Sequence, residues 1–166
     1  SFSAMHDPLD HRPLYYTIGH ATYDNGAWQN TSLYETQAST LSVSFAIDPL
    51  DTGWVVFNTY DNEGNNELKI GHFYTQTLPE SLENVTTLDT YNSFGKAAVI
   101  VRPSDRSIWI VYERNNTIVY KWRNSYGNWI TGTIQNEGIY PSLSIAGDLI
   151  HFIWEKYYSE IDRREI

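Results

Sequence analysis

The fold class is decided by residues 93–136, which read SFGKAAVIVRPSDRSIWIVYERNNTIVYKWRNSYGNWITGTIQN. This stretch contains four short apolar or alternating runs, each followed by turn residues, at positions 97–101, 108–113, 117–122 and 129–134. Runs of this length, rich in Val, Ile, Tyr and Trp and separated by short Asn, Gly and Ser turns, are typical of β-strands. The stretch therefore predicts one up-and-down antiparallel sheet of four strands.

The composition of the whole chain also favours an all-β domain. Aromatic residues make up 15% of the 166 residues, including 6 Trp and 13 Tyr. Because so many rings alternate with polar residues, they suit strands that bury only one face. No stretch keeps the apolar spacing of a long helix, and no window reaches the ~18 apolar residues that a membrane helix needs. We expect a single domain over residues 1–166 with no membrane span.

Charge and cysteine content limit the possible partners and sites. The net charge is −9, from 20 acidic and 11 basic residues, and the basic residues are scattered. A protein that binds nucleic acid normally presents a basic face, because counterion release from the phosphates drives its affinity. We therefore expect no nucleic-acid partner. The absence of cysteine excludes disulfides, thiolate chemistry and cysteine-based zinc sites.

A recurring phrase divides the chain into similar units. A short strand, a Pro-x-Asp turn or its relic, and an aromatic strand recur around the aspartates at Asp10, Asp51, Asp105 and Asp148. We expect these aspartates to stabilise turns, because an Asp side chain can accept hydrogen bonds from nearby backbone N–H groups. Four-stranded propeller blades repeat every ~40–50 residues, which is close to the spacing of this phrase. In the first unit, Asp24-Asn25-Gly26 predicts a tight hairpin turn.

The predicted fold is a β-propeller of four-stranded antiparallel blades, with about four blades present and the last incomplete. The approximate blades are residues 1–40, 41–93, 94–138 and 139–166. An open arc would expose sheet edges and apolar blade faces, which native proteins avoid. We therefore expect another chain or a missing segment to complete the propeller. The competing fold is a single β-sandwich or closed β-barrel, which also needs several short strands at regular spacing.

The last predicted unit, YPSLSIAGDLIHFIWEKYYSEIDRREI, resembles the repeat of bacterial and archaeal sialidase-like (BNR-type) propellers. The matching elements are Pro-Ser-Leu at 141–143, Gly-Asp at 147–148, Ile-Trp-Glu at 153–155, and Ser-Glu-Ile from 159 leading to Arg-Arg at 163–164. The resemblance implies a propeller, a fold that carries hydrolases, lectins and scaffolds. The Ser-x-Asp-x-Gly-x-Thr-Trp box of many sialidases is absent, which favours binding over sialidase activity.

Two sets of polar residues are candidates for chemistry. Glu113 and Glu155 end equivalent aromatic strands and could form the carboxylate pair of a glycoside hydrolase, which needs a separation of about 5–9 Å. The favoured interpretation is that both glutamates only solvate strand ends. Oxygen-bearing side chains also occur at four alternate positions, Asp61, Glu63, Asn65 and Glu67. They could surround a Ca²⁺ ion, although the favoured interpretation of this segment is an ordinary hairpin.

Aromatic residues are the candidates for ligand binding. Trp122, Tyr126 and Trp129 flank the turn at residues 124–127 and are predicted to form an exposed patch that stacks on a sugar. Large rings also fill the space between blades, where each buries ~150–250 Å². Three tryptophans that recur in the second strands of their units are expected to serve this packing role, namely Trp54, Trp109 and Trp154.

These patterns lead to a functional hypothesis. We expect a non-catalytic binding or scaffold module on the outside of a cell or virion, with carbohydrate as the ligand and no cofactor. The alternative is a fragment of a sialidase-like, propeller-fold glycoside hydrolase whose remaining catalytic residues lie outside this chain. Three Asn-x-Ser/Thr sequons, beginning at Asn30, Asn84 and Asn115, are compatible with glycosylation of an exported protein.

Overall fold

The computed structural model of the chain describes residues 16–36, 42–60, 63–76, 79, 81–91, 95–158 and 163–165. All regular elements among these residues are β-strands. Their bounds are β1 Tyr16–Asp24, β2 Ala27–Thr36, β3 Ser42–Ile47, β4 Thr52–Tyr60, β5 Asn66–Tyr74, β6 Glu83–Tyr91, β7 Ala97–Val101, β8 Ile108–Arg114, β9 Thr117–Arg123, β10 Trp129–Asn136, β11 Gly138–Ala146, β12 Leu149–Tyr158 and β13 Arg163–Glu165. The described residues form no helix that is long and apolar enough to cross a bilayer.

The strands form four antiparallel sheets, and in each sheet every strand pairs with its neighbours in sequence. Sheet 1 is β1-β2, sheet 2 is β3-β4-β5-β6, sheet 3 is β7-β8-β9-β10 and sheet 4 is β11-β12-β13. The meander predicted for residues 93–136 is confirmed as sheet 3, with strand bounds within two residues of those expected. The all-β class is confirmed for the described residues.

The sheets pack on one another in the order of the chain. Strands β3 and β4 of sheet 2 contact β7 of sheet 3, and β11 of sheet 4 contacts β7, β8 and β9. The first strands of sheets 2, 3 and 4 therefore lie in succession. The described residues form four separate sheets, whereas the competing sandwich requires two sheets that enclose one interior.

The two central strands of sheet 2, β4 and β5, are buried on both faces, and β4 shows this most clearly. Val56 packs with Val99 and Ile110 of sheet 3, whereas the adjacent Phe57 packs with Ile18 and Leu33 of sheet 1. Successive side chains of a strand point to opposite faces, so a strand between two layers is apolar at nearly every position. This arrangement explains why β4 is apolar over a continuous run while the outer strands alternate.

Tight turns join the strands as the sequence predicts. Asn25 and Gly26 both have positive φ, 50° and 83°, between the paired residues Asp24 and Ala27. Two successive left-handed residues form the hairpin turn whose twist matches that of the flanking strands. The hairpin predicted at Asp24-Asn25-Gly26 is therefore confirmed.

The predicted role of the recurring aspartates is confirmed in one unit and shifted in another. Asp105 accepts a hydrogen bond from the backbone N–H of Ser107 at 3.0 Å, as expected for a turn. In the second unit this role belongs to Asp48, whereas Asp51 contributes through its backbone, which has φ 59° and whose carbonyl accepts hydrogen bonds from the N–H and hydroxyl of Thr75. Asp148 lies exposed in the turn before β12, and Asp10 lies outside the described residues.

The ring of Phe73 in β5 covers Gly53, its cross-strand partner in β4 of sheet 2, and leaves no room there for a side chain. A Cβ atom at this position would lie 2.4 Å from the ring of Phe73, which is only 1% exposed. Because the buried ring has no space to move into, we expect Gly53→Ala to lower the free energy of unfolding by ~1–3 kcal/mol. Gly19→Ala is the matched control, since its nearest neighbour would be 3.8 Å away. Chemical denaturation of both variants measures the difference, and equal stabilities would contradict the prediction.

Candidate functional site

Two adjoining clefts open between sheets 2 and 3. The smaller cleft, of ≈ 230 Å³, is lined by side chains of β4, β5, β6, β9 and β10. The larger cleft, of ≈ 620 Å³, is lined by β4 and β5 together with residues of the turns around Leu50 and Arg106. Trp54 and His72 line both clefts and therefore form their common wall. We call the two cavities the small cleft and the large cleft.

Two cross-strand pairs build the wall of the small cleft. Trp54 and His72 are partners in the ladder between β4 and β5, and their ring centroids are 5.1 Å apart. Arg123 and Trp129 are partners in the ladder between β9 and β10 of sheet 3. The guanidinium carbon of Arg123 lies 5.8 Å from the centroid of the Trp54 ring, which is within the range of a cation–π contact. The two pairs thus meet across the sheet interface.

Polar groups complete both clefts. Asn84 and Thr86 of β6 line the small cleft, and Thr52 and Gln76 line the large one. The apolar part of the large cleft includes Tyr74, whose side chain is 53% exposed. Amide, hydroxyl and guanidinium groups beside exposed rings can donate and accept hydrogen bonds while the rings provide flat apolar surfaces. This combination suits a ligand with hydroxyl groups and an apolar face.

An ion pair beside the large cleft holds the two sheets together. Arg106 of the turn before β8 donates a hydrogen bond to Asp48 Oδ2 at 2.7 Å, and the Asp48 side chain is 2% exposed. Asp48 Oδ1 accepts the backbone N–H groups of Leu50 and Thr52 at 2.8 and 3.1 Å. Burial alone would raise the pKa of Asp48, but the hydrogen bonds from Arg106 and from these two N–H groups outweigh it and lower the pKa.

The three aromatic residues predicted to bind a ligand occupy different places. Trp129 lines the small cleft, on the face of sheet 3 that is turned toward sheet 2. Trp122 lies on the opposite face, where it stacks on Trp109 with a centroid distance of 5.3 Å and an interplanar angle of 11°. Tyr126 is 88% exposed at the tip of the intervening turn. Because strand side chains alternate, Trp122 and Trp129 do not form one surface.

Glu113 is buried, so the expectation that it solvates a strand end is wrong. It is 5% exposed, and its carboxylate accepts the backbone N–H of Tyr140 in β11 at 3.3 Å. Burial raises the pKa of Glu113 above its ordinary value. Side chains alternate along β8, so the side chain of Glu113 lies on the same face as that of Trp109, which is turned toward sheet 4. Glu155 lies on β12 opposite Ile139, and neither glutamate lines either cleft.

The candidate calcium ligands are engaged elsewhere or lie outside the described residues. Glu67 forms an ion pair with Lys69 at 2.8 Å and accepts a hydrogen bond from the Thr87 hydroxyl at 3.1 Å. Glu63 is exposed, Asn65 is half-buried, and Asp61 is not among the residues described. Within the described ranges, no three His, Asp or Glu side chains converge in a way that could hold a metal ion.

Sequence reasoning missed most of the cleft residues. Trp54 was expected only to pack between blades, and it does pack against the core shared by sheets 2 and 3 while also lining both clefts. Arg106 and Arg123 gave no signal, because they come from a turn and a strand that are distant from Trp54 in the sequence. For His72 the available signal was the alternation of side chains along a strand, because Trp54 and His72 lie on the same face of adjacent strands.

No family model, curated protein or solved structure matches this chain.

The buried ion pair predicts a specific loss of stability in Asp48→Asn. Asparagine keeps an acceptor for the backbone N–H groups but loses the charge-assisted bond to Arg106, so the free energy of unfolding should fall by ~1.5–3 kcal/mol at pH 7. Because the folded pKa is lowered, ionised Asp48 contributes fully above its ordinary pKa of about 3.9, and the contribution is lost as the pH falls through the folded value.

Denaturation of wild type and variant from pH 3 to pH 7 measures this contribution. The difference between them should be constant near neutral pH and shrink in acid. The control is Asp51→Asn, an exposed residue of the same turn, which should change stability little. A difference that grows in acid would contradict the assignment.

Proposed function

We propose that this protein is a non-catalytic carbohydrate-binding module whose ligand enters the clefts between sheets 2 and 3. The observation that carries the proposal is the meeting of Trp54, His72, Arg123 and Trp129 at the small cleft. The aliphatic C–H groups on one face of a sugar ring pack on indole rings, and its hydroxyl groups accept and donate hydrogen bonds at the rim. Both kinds of surface are present at the small cleft.

The volumes of the clefts support a short oligosaccharide as the ligand. Pockets for small molecules occupy ~300–1,000 Å³ and combine apolar walls with a few polar groups. The large cleft, at ≈ 620 Å³, falls within this range, whereas the small cleft, at ≈ 230 Å³, has room for about one ring. A ligand that places one ring in the small cleft would extend past Trp54 toward Tyr74 and Gln76.

The lining of the clefts supports binding rather than hydrolysis. Glycoside hydrolases flank the scissile bond with two carboxyl groups. Among the described residues that line the two clefts there is no Asp or Glu. Glu113, the buried glutamate with the raised pKa, lies outside the clefts and accepts a hydrogen bond from the backbone of β11. The alternative, a sialidase-like hydrolase fragment, would have to take its carboxylates from elsewhere.

We also propose that the four sheets are blades of one propeller arc, closed by another chain or segment and displayed on the outside of a cell or virion. The support is the succession of first strands β3, β7 and β11, each beginning a meander that packs on the next. This geometry is what blades that radiate from a common axis require. On the outside of a cell or virion, the clefts could bind glycans that are displayed on neighbouring surfaces.

Glycan binding can be tested with one pair of tryptophan variants. The purified chain is screened on a glycan array and on a panel of chromogenic glycosides, and hits are titrated by isothermal calorimetry. We expect retention of a subset of glycans without turnover. Trp129→Ala should weaken binding at least about tenfold, since stacking contacts contribute on the order of 1–3 kcal/mol.

The matched control is Trp28→Ala, because Trp28 is also exposed, at 68%, but lies on β2 in sheet 1. This variant should bind like the wild type. Turnover of a glycoside, or equal binding by the two variants, would overturn the proposal.

A further inference from the structure

The sequon that begins at Asn84 lies at the small cleft. Asn84 and Thr86 both line this cleft, together with Trp54, Arg123 and Trp129. Asn84 is exposed and has a left-handed backbone, with φ 49°. The register between β5 and β6 shifts between Ile70 and His72, opposite this sequon. An acceptor asparagine therefore stands at the rim of a cavity that suits one sugar ring.

We propose that Asn84 is an N-glycosylation site and that the first N-acetylglucosamine of its glycan occupies the small cleft against Trp54 and Trp129. The inference deepens the proposed function and rests on it, since it names the chain's own glycan as the ligand of the small cleft. In the glycosylated chain only the large cleft remains open to an external ligand, whereas the unglycosylated chain offers both clefts. The indole rings would contact the apolar face of the sugar, and Arg123 would lie close enough to bond its polar groups.

The chemistry of the attachment is a balanced group transfer. The Asn84 side-chain nitrogen forms a bond to the anomeric carbon of a lipid-diphosphate-linked oligosaccharide, and the bond from that carbon to the diphosphate breaks. The amide gives up one proton and the lipid diphosphate leaves with the bonding electrons. The hydroxyl residue two positions later, Thr86, is the one that the sequon requires.

Tethering explains how a small cleft can hold a single ring. A sugar attached at the rim is present at an effective concentration on the order of millimolar, so a weak site is still filled. The cleft, at ≈ 230 Å³, is smaller than the ~300 Å³ at which pockets for small molecules begin. It therefore suits a single ring, whose weak affinity for so small a site the tether would offset.

The other two sequons provide internal controls. Asn30 is exposed on β2 of sheet 1, and Asn115 is exposed in the turn between β8 and β9. Neither residue lines the small or the large cleft. A sugar at either position would modify the surface without approaching Trp54 or Trp129 through these clefts.

The experiment uses the chain secreted from a eukaryotic host. Mass spectrometry maps the occupied asparagines, and an endoglycosidase then trims each glycan to one N-acetylglucosamine. The indole N–H resonances of this form are compared with those of Asn84→Gln from the same host. They are assigned through Trp54→Phe, Trp129→Phe and Trp28→Phe.

We expect Asn84 to be occupied, the indole resonances of Trp54 and Trp129 to shift between the two forms, and the resonance of Trp28 to stay in place. Thr117→Ala, which removes only the sequon at Asn115, should leave all three resonances unchanged. Two results would overturn the inference: an unmodified Asn84 beside an occupied Asn30 or Asn115, or an occupied Asn84 with no shift at either cleft tryptophan.

The glycan array distinguishes this outcome from failure of the proposed function. The array is run with the wild-type chain from a bacterial host that attaches no sugar to Asn84, so its retention of free glycans reports only on the proposed function. Resonance shifts with no free-glycan retention would support the tethered sugar and count against external binding. Retention of free glycans without resonance shifts would support external binding and count against the tethered sugar.

Discussion

The structure depends on the burial of the central strands of sheet 2, β4 and β5, between two other sheets. Val56 and Phe57 are adjacent in β4, point to opposite faces and are both fully buried, one against sheet 3 and the other against sheet 1. Burying a side chain of this size contributes ~1.5–3 kcal/mol, so a row on each face outweighs any single polar contact in the molecule. The remaining features follow from how sheet 3 lies against this layer.

Residues at the ends of the strands form the candidate binding site at the interface between sheets 2 and 3. In its centre, the aliphatic side chains of Ile70 and Ile110 fill the space between sheets 2 and 3. Toward one end of the strands, Trp54 and Trp129 pack on the edge of the same core and leave the clefts beside them. The rings are thus anchored by the core on one side and available to a ligand on the other. A site built on paired strands holds its geometry better than a site on loops.

Charged groups at the two interfaces of sheet 3 serve different purposes. Asp48 and Arg106 join sheets 2 and 3 beside the large cleft, where the ion pair remains charged because several donors stabilise the carboxylate. Glu113 joins sheets 3 and 4 through the backbone of β11, and its burial favours the neutral acid. A second carboxylate, Asp89 of β6, also joins sheets 2 and 3, because it pairs with Arg114 of β8 at 3.2 Å. The described residues that line the clefts include no acid, although the chain carries a net charge of −9.

The sequence alone determined the strands, the turns and the meander of sheet 3, because periodicity and turn residues are local properties. Asn25-Gly26 and Asp105 could be assigned from a few neighbouring residues. Only the tertiary structure decided which face each side chain occupies and what lies opposite. Trp122 and Trp129 are close in sequence yet lie on opposite faces of sheet 3, whereas Trp54 and Arg123 meet only because two sheets pack together. Contacts between distant segments are set by the packing of whole sheets, which no local pattern encodes.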